Sequence, residues 1–445
     1  MPANGKKENL LSSWKEIAAY LDRDVRTCVR WEKQFGLPVH RLEKESKGKV
    51  FAFTDEIDRW LASRAENLTS EGSKSPPRRR LWLFGLALAA ILLGWGIFRW
   101  TGFIPGGRGA ARRVPTEFRI QGSTLIILDQ EGRDLGRFET RREGLEPEAV
   151  YRNHFQTKTY TDEWQPVWPY IMLCDVNGDG QRETLFSLQT KDELNEGILY
   201  CLDEKGKELW HFETGRELAF GGKSYRREYR IFGFDVADVN ADGKLEVLIL
   251  SVQRPDWPCQ FAVLNAAGRC QQEFWNCGHL ADLCLGDIDG DGRNELVLSG
   301  VNNEYETGCA VIFKTGHIGG SSPQDDPQFR SPDLTPGTET AYLLFPTSDA
   351  VRAMRKEGDP ANYVWLHAGN GFSVMSRVSH IYYDFDARLD CTNVTLSHIF
   401  EDLYFDLYQK GRLSRPLVKP AYEQKLADAI RIFQDGKWRG CRRLF

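Results

Sequence analysis

Histidine is scarce in this chain, eight residues in 445, and methionine is scarcer at four. His154, His211, His279, His317, His367, His380 and His398 are scattered, and no two stand at a metal-binding spacing. There is no CxxC pair, so a cysteine zinc site has no basis in the sequence. Also missing are a nucleophile elbow, a phosphate-binding glycine loop and a dinucleotide fingerprint, which removes the common signatures of hydrolases, nucleotide-dependent enzymes and dehydrogenases. The expectation is a protein that is not an enzyme; the alternative is an active site hidden in a central channel.

Charge is missing over one stretch. Residues 81–98 contain no charged side chain, and 18 residues at the helical rise reach roughly 27 Å, close to the hydrocarbon thickness of a bilayer. Trp82 and Trp100 stand at its ends, where indole rings prefer the interface. A transmembrane helix is expected over 81–100. Basic residues flank both sides, so the positive-inside rule barely orients it. Only Cys28 precedes this segment and nine cysteines follow it. In an oxidising compartment some would pair; as buried thiols in strands they would not, and both readings stay open.

The net charge of −5 hides an asymmetry. Residues 1–80 hold 17 basic and 12 acidic side chains, a balance of +5, against 41 and 51, or −10, in the remainder. Ser13-Trp-Lys-Glu16 is a capping box for a first short helix. Asp22-Arg-Asp24 reads as a turn, Val25–Phe35 as a second helix, and Val39–Leu42 and Val50–Phe53 as two strands around a basic tip. Thr54 opens a third capped helix.

The stretch SWKEIAAYL…VRTCVRWEKQFGLPVHR…VFAFTDEIDRWL resembles the winged helix-turn-helix of MerR-like and excisionase-type DNA-binding domains. The resemblance implies that the second helix enters the major groove. Arg26, Thr27, Arg30 and Lys33 would then face DNA, with Lys47 and Lys49 on the wing. The turn LDRD departs from the small or glycine residue usual there.

Three acidic repeats dominate the rest of the chain. They are Asp175-Val-Asn177-Gly-Asp179-Gly-Gln-Arg-Glu183, Asp238-Val-Asn240-Ala-Asp242-Gly-Lys-Leu-Glu246 and Asp287-Ile-Asp289-Gly-Asp291-Gly-Arg-Asn-Glu295. Oxygen-bearing side chains recur at positions 1, 3, 5 and 9, with glycine at 6. Calcium takes six to eight oxygen ligands, and a tightly curled loop can aim alternate side chains at one point. The acid stands at 9 rather than 12 and an apolar strand follows, so an EF-hand is excluded. Strand–Gly-turn–strand units recur at 123–140, 197–215 and 260–278, and the loops start 63 and 49 residues apart. Such spacing suits propeller blades.

This region resembles the FG-GAP/VCBS repeat family, whose blades carry acidic calcium loops; the match is strongest over 165–315. The resemblance implies Ca2+ in the three loops, mainly as a structural staple. Residues 318–338 read as a long loop, 340–415 as strands without the acidic signature, and Lys419–Trp438 as a terminal helix, with five to seven blades in all.

The expected fold class is therefore multidomain, with a small helix-turn-helix head, one transmembrane helix and an all-β propeller ending in a helix. The expected boundaries are head 1–64, linker 65–80, span 81–100, linker 101–116, propeller 117–417, and helix and tail 418–445. The expected function is a membrane-anchored DNA-binding transcriptional regulator whose propeller senses a ligand or binds a partner. Its expected place is the bacterial inner membrane, single-pass, with the N-terminus cytoplasmic and the propeller extracytoplasmic, acting as a possible homodimer. The alternative is a cell-surface adhesion module whose head is an anchor or protein-binding domain.

Overall fold

The computed structural model describes residues 10–11, 13–21, 37–41, 50–54, 57, 113–161, 165–191, 197–225, 229–254, 257–356, 358–367 and 370–445. The chain divides into two units, Met1–Gly109 and Ala110–Phe445.

In the first unit the helix α1 (Trp14–Tyr20) starts where the capping box places it, and the Ser13 hydroxyl oxygen accepts the Glu16 amide at 3.3 Å. Ile17 and Ala18 are buried with Leu37, Ala52 and Ile57. His40–Arg41 pairs antiparallel with Val50–Phe53, whose other edge takes Leu10–Leu11. The described head thus holds one short helix and a three-stranded sheet, with Thr54 and Ile57 also helical. This corrects the expected helical head: no helix-turn-helix pair is present among the described residues, and the second helix over 25–35 lies outside them.

Among the described residues no helix is long and apolar enough to cross a membrane. The span expected over 81–100 lies outside the described residues, and the placement as a single-pass inner-membrane protein is withdrawn on that finding.

The second unit is built from antiparallel sheets that follow one another in chain order as blades I to V. Blade I has three strands, Glu117–Gln121, Thr124–Leu128 and Asp134–Glu139. Blade II has four: Ile171–Cys174, Glu183–Ser187, Ile198–Leu202 and Glu208–Glu213. Blade III runs through Tyr229–Ala237, Glu246–Gln253, Pro258–Leu264 and Cys270–Cys277, with Gly319–Ser321 added in parallel. Blade IV holds Leu280–Gly286, Glu295–Asn302, Thr307–Lys314 and Ala341–Leu344, extended by Arg431–Gln434 and Lys437–Gly440. Blade V is Ala361–Leu366, Phe372–Ser376, Ile381–Phe385 and Cys391–Leu396.

Each sheet packs face to face on the next. Phe118 and Ile127 meet Phe186 and Tyr200; Leu185 and Leu199 meet Phe234 and Ile249; Phe261 and Phe274 meet Leu296 and Phe313; Val297 and Ile312 meet Val364 and Tyr383. A sheet covered on both faces needs apolar residues at successive positions, not alternate ones. Pro258–Leu264 is such a strand: all seven residues are buried, and the one polar member, Gln260, bonds to the Gly215 amide and Glu273. Four-stranded meanders stacked in succession are the arrangement of a β-propeller, and the body is propeller-like, with one three-stranded sheet and four sheets of four or more strands stacked in turn among the described residues.

The segment between blades I and II carries the short helix α2 (Glu148–Asn153) and the hairpin Thr159–Tyr160/Pro166–Val167. It reaches the first strands of later blades. The Trp168 indole donates to the Ala281 carbonyl at 3.0 Å, and Lys158 Nζ donates to Asp282 Oδ1 at 2.7 Å. Asp282 Oδ2 in turn accepts the Val364 amide of blade V at 3.1 Å.

After blade V come the helix α4 (His398–Gln409), capped by Ser397, and α5 (Lys419–Asp428); α3 (Asp349–Ala353) precedes the blade. The chain does not end in the expected helix. It turns at Asp435-Gly436 into a hairpin that completes the blade IV sheet.

Candidate metal loops

In blades II, III and IV the acidic loop joins the first strand to the second, and the ninth-position glutamate is the first residue of that second strand. The leading aspartate gathers backbone amides. Its Oδ2 accepts the position-6 glycine amide, Gly180 at 2.7 Å, Gly243 at 2.9 Å and Gly292 at 2.8 Å. Its Oδ1 accepts the position-5 amide at 3.1, 3.1 and 3.2 Å. The third-position oxygens of Asn177, Asn240 and Asp289 accept that same amide at 2.8, 2.9 and 3.1 Å. Asp179, Asp242 and Asp291 each accept the amide two residues on. Glu183, Glu246 and Glu295 reach back to the position-2 amide at 2.9, 3.0 and 3.1 Å. The glycines at position 6 have φ of 80°, 82° and 83°, a left-handed turn that a side chain would strain.

All twelve predicted residues are therefore brought together in three like-built loops. In the blade IV loop, where position 3 is an aspartate and not an asparagine, ligand oxygens of Asp287, Asp289 and Glu295 lie within 4.8 Å of one another. Glu295 is 2% exposed, and its Oε1 has no hydrogen-bond partner among the described residues. A buried carboxylate oxygen without a donor is costly, and a cation between these carboxylates would remove the cost. The donors are oxygens only, which suits a hard cation. In the blade II loop, Glu183 Oε1 accepts the Asn177 side-chain amide at 3.0 Å.

Burial pushes Glu183, Glu246 and Glu295 above the usual carboxylate range, and neighbouring loop aspartates add to the effect. The Arg293 amide holds Asp291 below that range, helped by Lys314, whose Nζ stands 3.4 Å from Asp291 and 3.6 Å from Asp289.

Two features were not anticipated. The first is the Lys158–Asp282 pair. The second is a Ser–His–Asp cluster in blade V, where Ser373 Oγ contacts His367 Nε2 and donates to Asp384 Oδ1, both at 2.5 Å. Ser373 is 1% exposed and its proton is held by the carboxylate, so the cluster ties three neighbouring strands together and offers no accessible nucleophile. Ser373 and Asp384 stand on neighbouring strands and His367 follows directly on a third, 6 and 11 residues from Ser373, a spacing that only the pairing register reveals.

Trp168 and Trp275 are buried packing residues, and Trp257 packs against Phe220, Tyr225 and Phe329. The nine cysteines after the hydrophobic segment are free thiols. Arg26, Thr27, Arg30, Lys33, Lys47 and Lys49, expected to face DNA, lie outside the described residues.

No family model matches the chain, and no curated protein matches it. Among solved structures, BBS1N in complex with ARL6DN, soaked with mercury, aligns at 9% identity and a TM-score of 0.28, covering 55% of this chain and 72% of that one. The Dos1 propeller aligns at 12% identity and a TM-score of 0.25, over 62% of this chain and 65% of its own. A protein of unknown function from Bacteroides caccae aligns at 11% identity and a TM-score of 0.20, over 64% and 95%. Likeness at this level decides neither fold nor function; the propeller-like assignment stands on the chain's own strand order.

Proposed function

We propose that the body is a calcium-stapled binding module, not an enzyme. Asp175, Asn177, Asp179 and Glu183 would hold one ion, with Asp238, Asn240, Asp242 and Glu246 holding a second, and Asp287, Asp289, Asp291 and Glu295 a third. The observation that carries this reading is the same amide-to-carboxylate pattern built three times at the same place in three blades. Bound there, a divalent cation would supply the positive charge that gathered carboxylates otherwise lack. The chain's own part is to curl the loop: backbone amides fix the aspartates, the glycine reverses the turn, and the buried glutamate ties the loop to the second strand.

Binding is favoured over catalysis by how the polar groups are used. Each loop carboxylate accepts at least one backbone amide, and the Ser373 hydroxyl is locked inside blade V. The duplex-DNA role expected of the head has no described geometry behind it, and the proposal rests on the body alone.

Thermal unfolding of the full chain in calcium against chelator tests the reading. A ligand that binds only the folded state stabilises it by about 2.7 kcal/mol at a hundred times its Kd, so calcium should raise the midpoint by several degrees and magnesium by less. Combined Asp175→Ala, Asp238→Ala and Asp287→Ala should abolish the rise. Equal midpoints in calcium and chelator would count against the proposal.

A further inference from the structure

The three loops are alike, but what stands beside them differs. Across the ladder from Glu295 is Lys314. One step beyond the Thr184–Leu202 and Val247–Leu264 pairs, the same place is held by Asp203 in blade II and Asn265 in blade III. Those two residues serve their own hairpin turns. Asp203 Oδ1 accepts the amides of Lys205 and Lys207 at 2.9 and 2.8 Å, and Asn265 Oδ1 accepts those of Ala267 and Arg269 at 3.1 and 3.0 Å. Lysine has no acceptor for that turn. Its ammonium instead reaches the loop, 3.4 Å from Asp291 Oδ2 and 3.6 Å from Asp289 Oδ2. Asp289 also clusters with Asp287 and with Glu295, whose Oε1 has no hydrogen-bond partner among the described residues.

We propose that Lys314 is a resident cation of the blade IV loop, so that calcium enters there only by displacing the ammonium, and this loop is the weakest and most exchangeable of the three. The inference rests on the calcium reading above. A monovalent charge held a few ångströms from the ion's place opposes a divalent one. The lysine side chain is 49% exposed on a flexible stem, so it can swing into solvent when calcium arrives. It therefore competes with the ion without blocking the site. The Ile288 carbonyl within the same loop accepts the Gly371 amide of blade V at 2.8 Å, so the exchangeable loop is also one that is bonded to the next blade.

The test is calcium titration calorimetry on the full chain. Asp175→Ala with Asp238→Ala silences the first two loops and leaves the blade IV loop as the site observed. With Lys314 present, this loop should bind more weakly than either of the others assayed in the same way. Lys314→Met should tighten it about tenfold or more, with the gain shrinking at high salt. Lys314→Arg, which keeps the charge, should leave the affinity close to its starting value and shows that the side chain's length alone is not responsible. Equal affinities for Lys314 and Lys314→Met overturn the proposal. Absence of calcium binding by the unsubstituted chain overturns the calcium reading and this inference with it, and is distinguishable because it is seen before Lys314 is changed.

Discussion

Trp168 and Gly233 are in such close contact that a methyl group at position 233 would come within 2.2 Å of the indole ring. The ring is 2% exposed and fixed by its bond to the Ala281 carbonyl, so it cannot give way. Gly233→Ala should cost about 1–3 kcal/mol as an overpacking substitution, read as a lower urea midpoint; an unchanged midpoint would mean that the indole is not so held. Beside it, the Lys158 side chain is 15% exposed and its partner Asp282 fully buried. Lys158→Met leaves that carboxylate without its counter-charge and should cost about 3–5 kcal/mol. Adding Asp282→Asn should recover part of the loss, and a double variant no more stable than Lys158→Met would contradict the pairing. None of this was legible beforehand, because Lys158 and Asp282 stand 124 residues apart and neither belongs to a motif. The loop carboxylates were legible because their chemistry lies within nine consecutive residues and occurs three times.

At the scale of elements, the C-terminal tail closes along blade V. The Cys391 amide donates to the Arg442 carbonyl at 2.8 Å, the Leu444 amide to the Cys391 carbonyl at 3.0 Å, and Arg442 pairs with Asp390. The guanidinium holds the Asp390 carboxyl below its usual range. A carboxylate whose folded pKa is depressed stabilises the fold above its unfolded value, about 3.9, and loses that contribution as pH falls through the lower folded value. Acid should therefore loosen the tail below about pH 4, and Arg442→Gln should weaken this acid dependence. Hydrogen exchange of the Cys391 and Leu444 amides would show it, and identical acid profiles in both chains would refute it. The reading of 419–438 as one helix went wrong in this region. Asp435-Gly436 is a two-residue hairpin signal, but Ile430, Ile432 and Phe433 fit an amphipathic helix as readily as a strand when viewed alone. The hairpin wins because the exposed edge of the blade IV sheet, at Ala341–Leu344, takes it up as a further strand.

For the whole molecule, repeat spacing makes the body legible in the sequence, whereas the head has no repeat to read. Strand, acidic loop, strand and Gly turn recur at blade length, so sheets II, III and IV follow from the sequence. Blade V carries no acidic loop, yet it forms a complete four-stranded sheet because its strands bury Val364, Val374, Tyr383 and Val394 against blade IV and the helices beyond. The head, by contrast, was read from a resemblance whose DNA-facing residues lie outside the described part. Its described part mixes helix and strand and shows no DNA-facing side chain, so the functional reading rests on calcium binding by the body. Equilibrium dialysis of the full chain against radioactive calcium, up to about 1 mM, measures that binding. Three bound ions are expected, reduced by one with each of Asp175→Ala, Asp238→Ala and Asp287→Ala. A chain that binds no calcium in this range, or that binds it undiminished with all three aspartates replaced, would contradict the calcium reading.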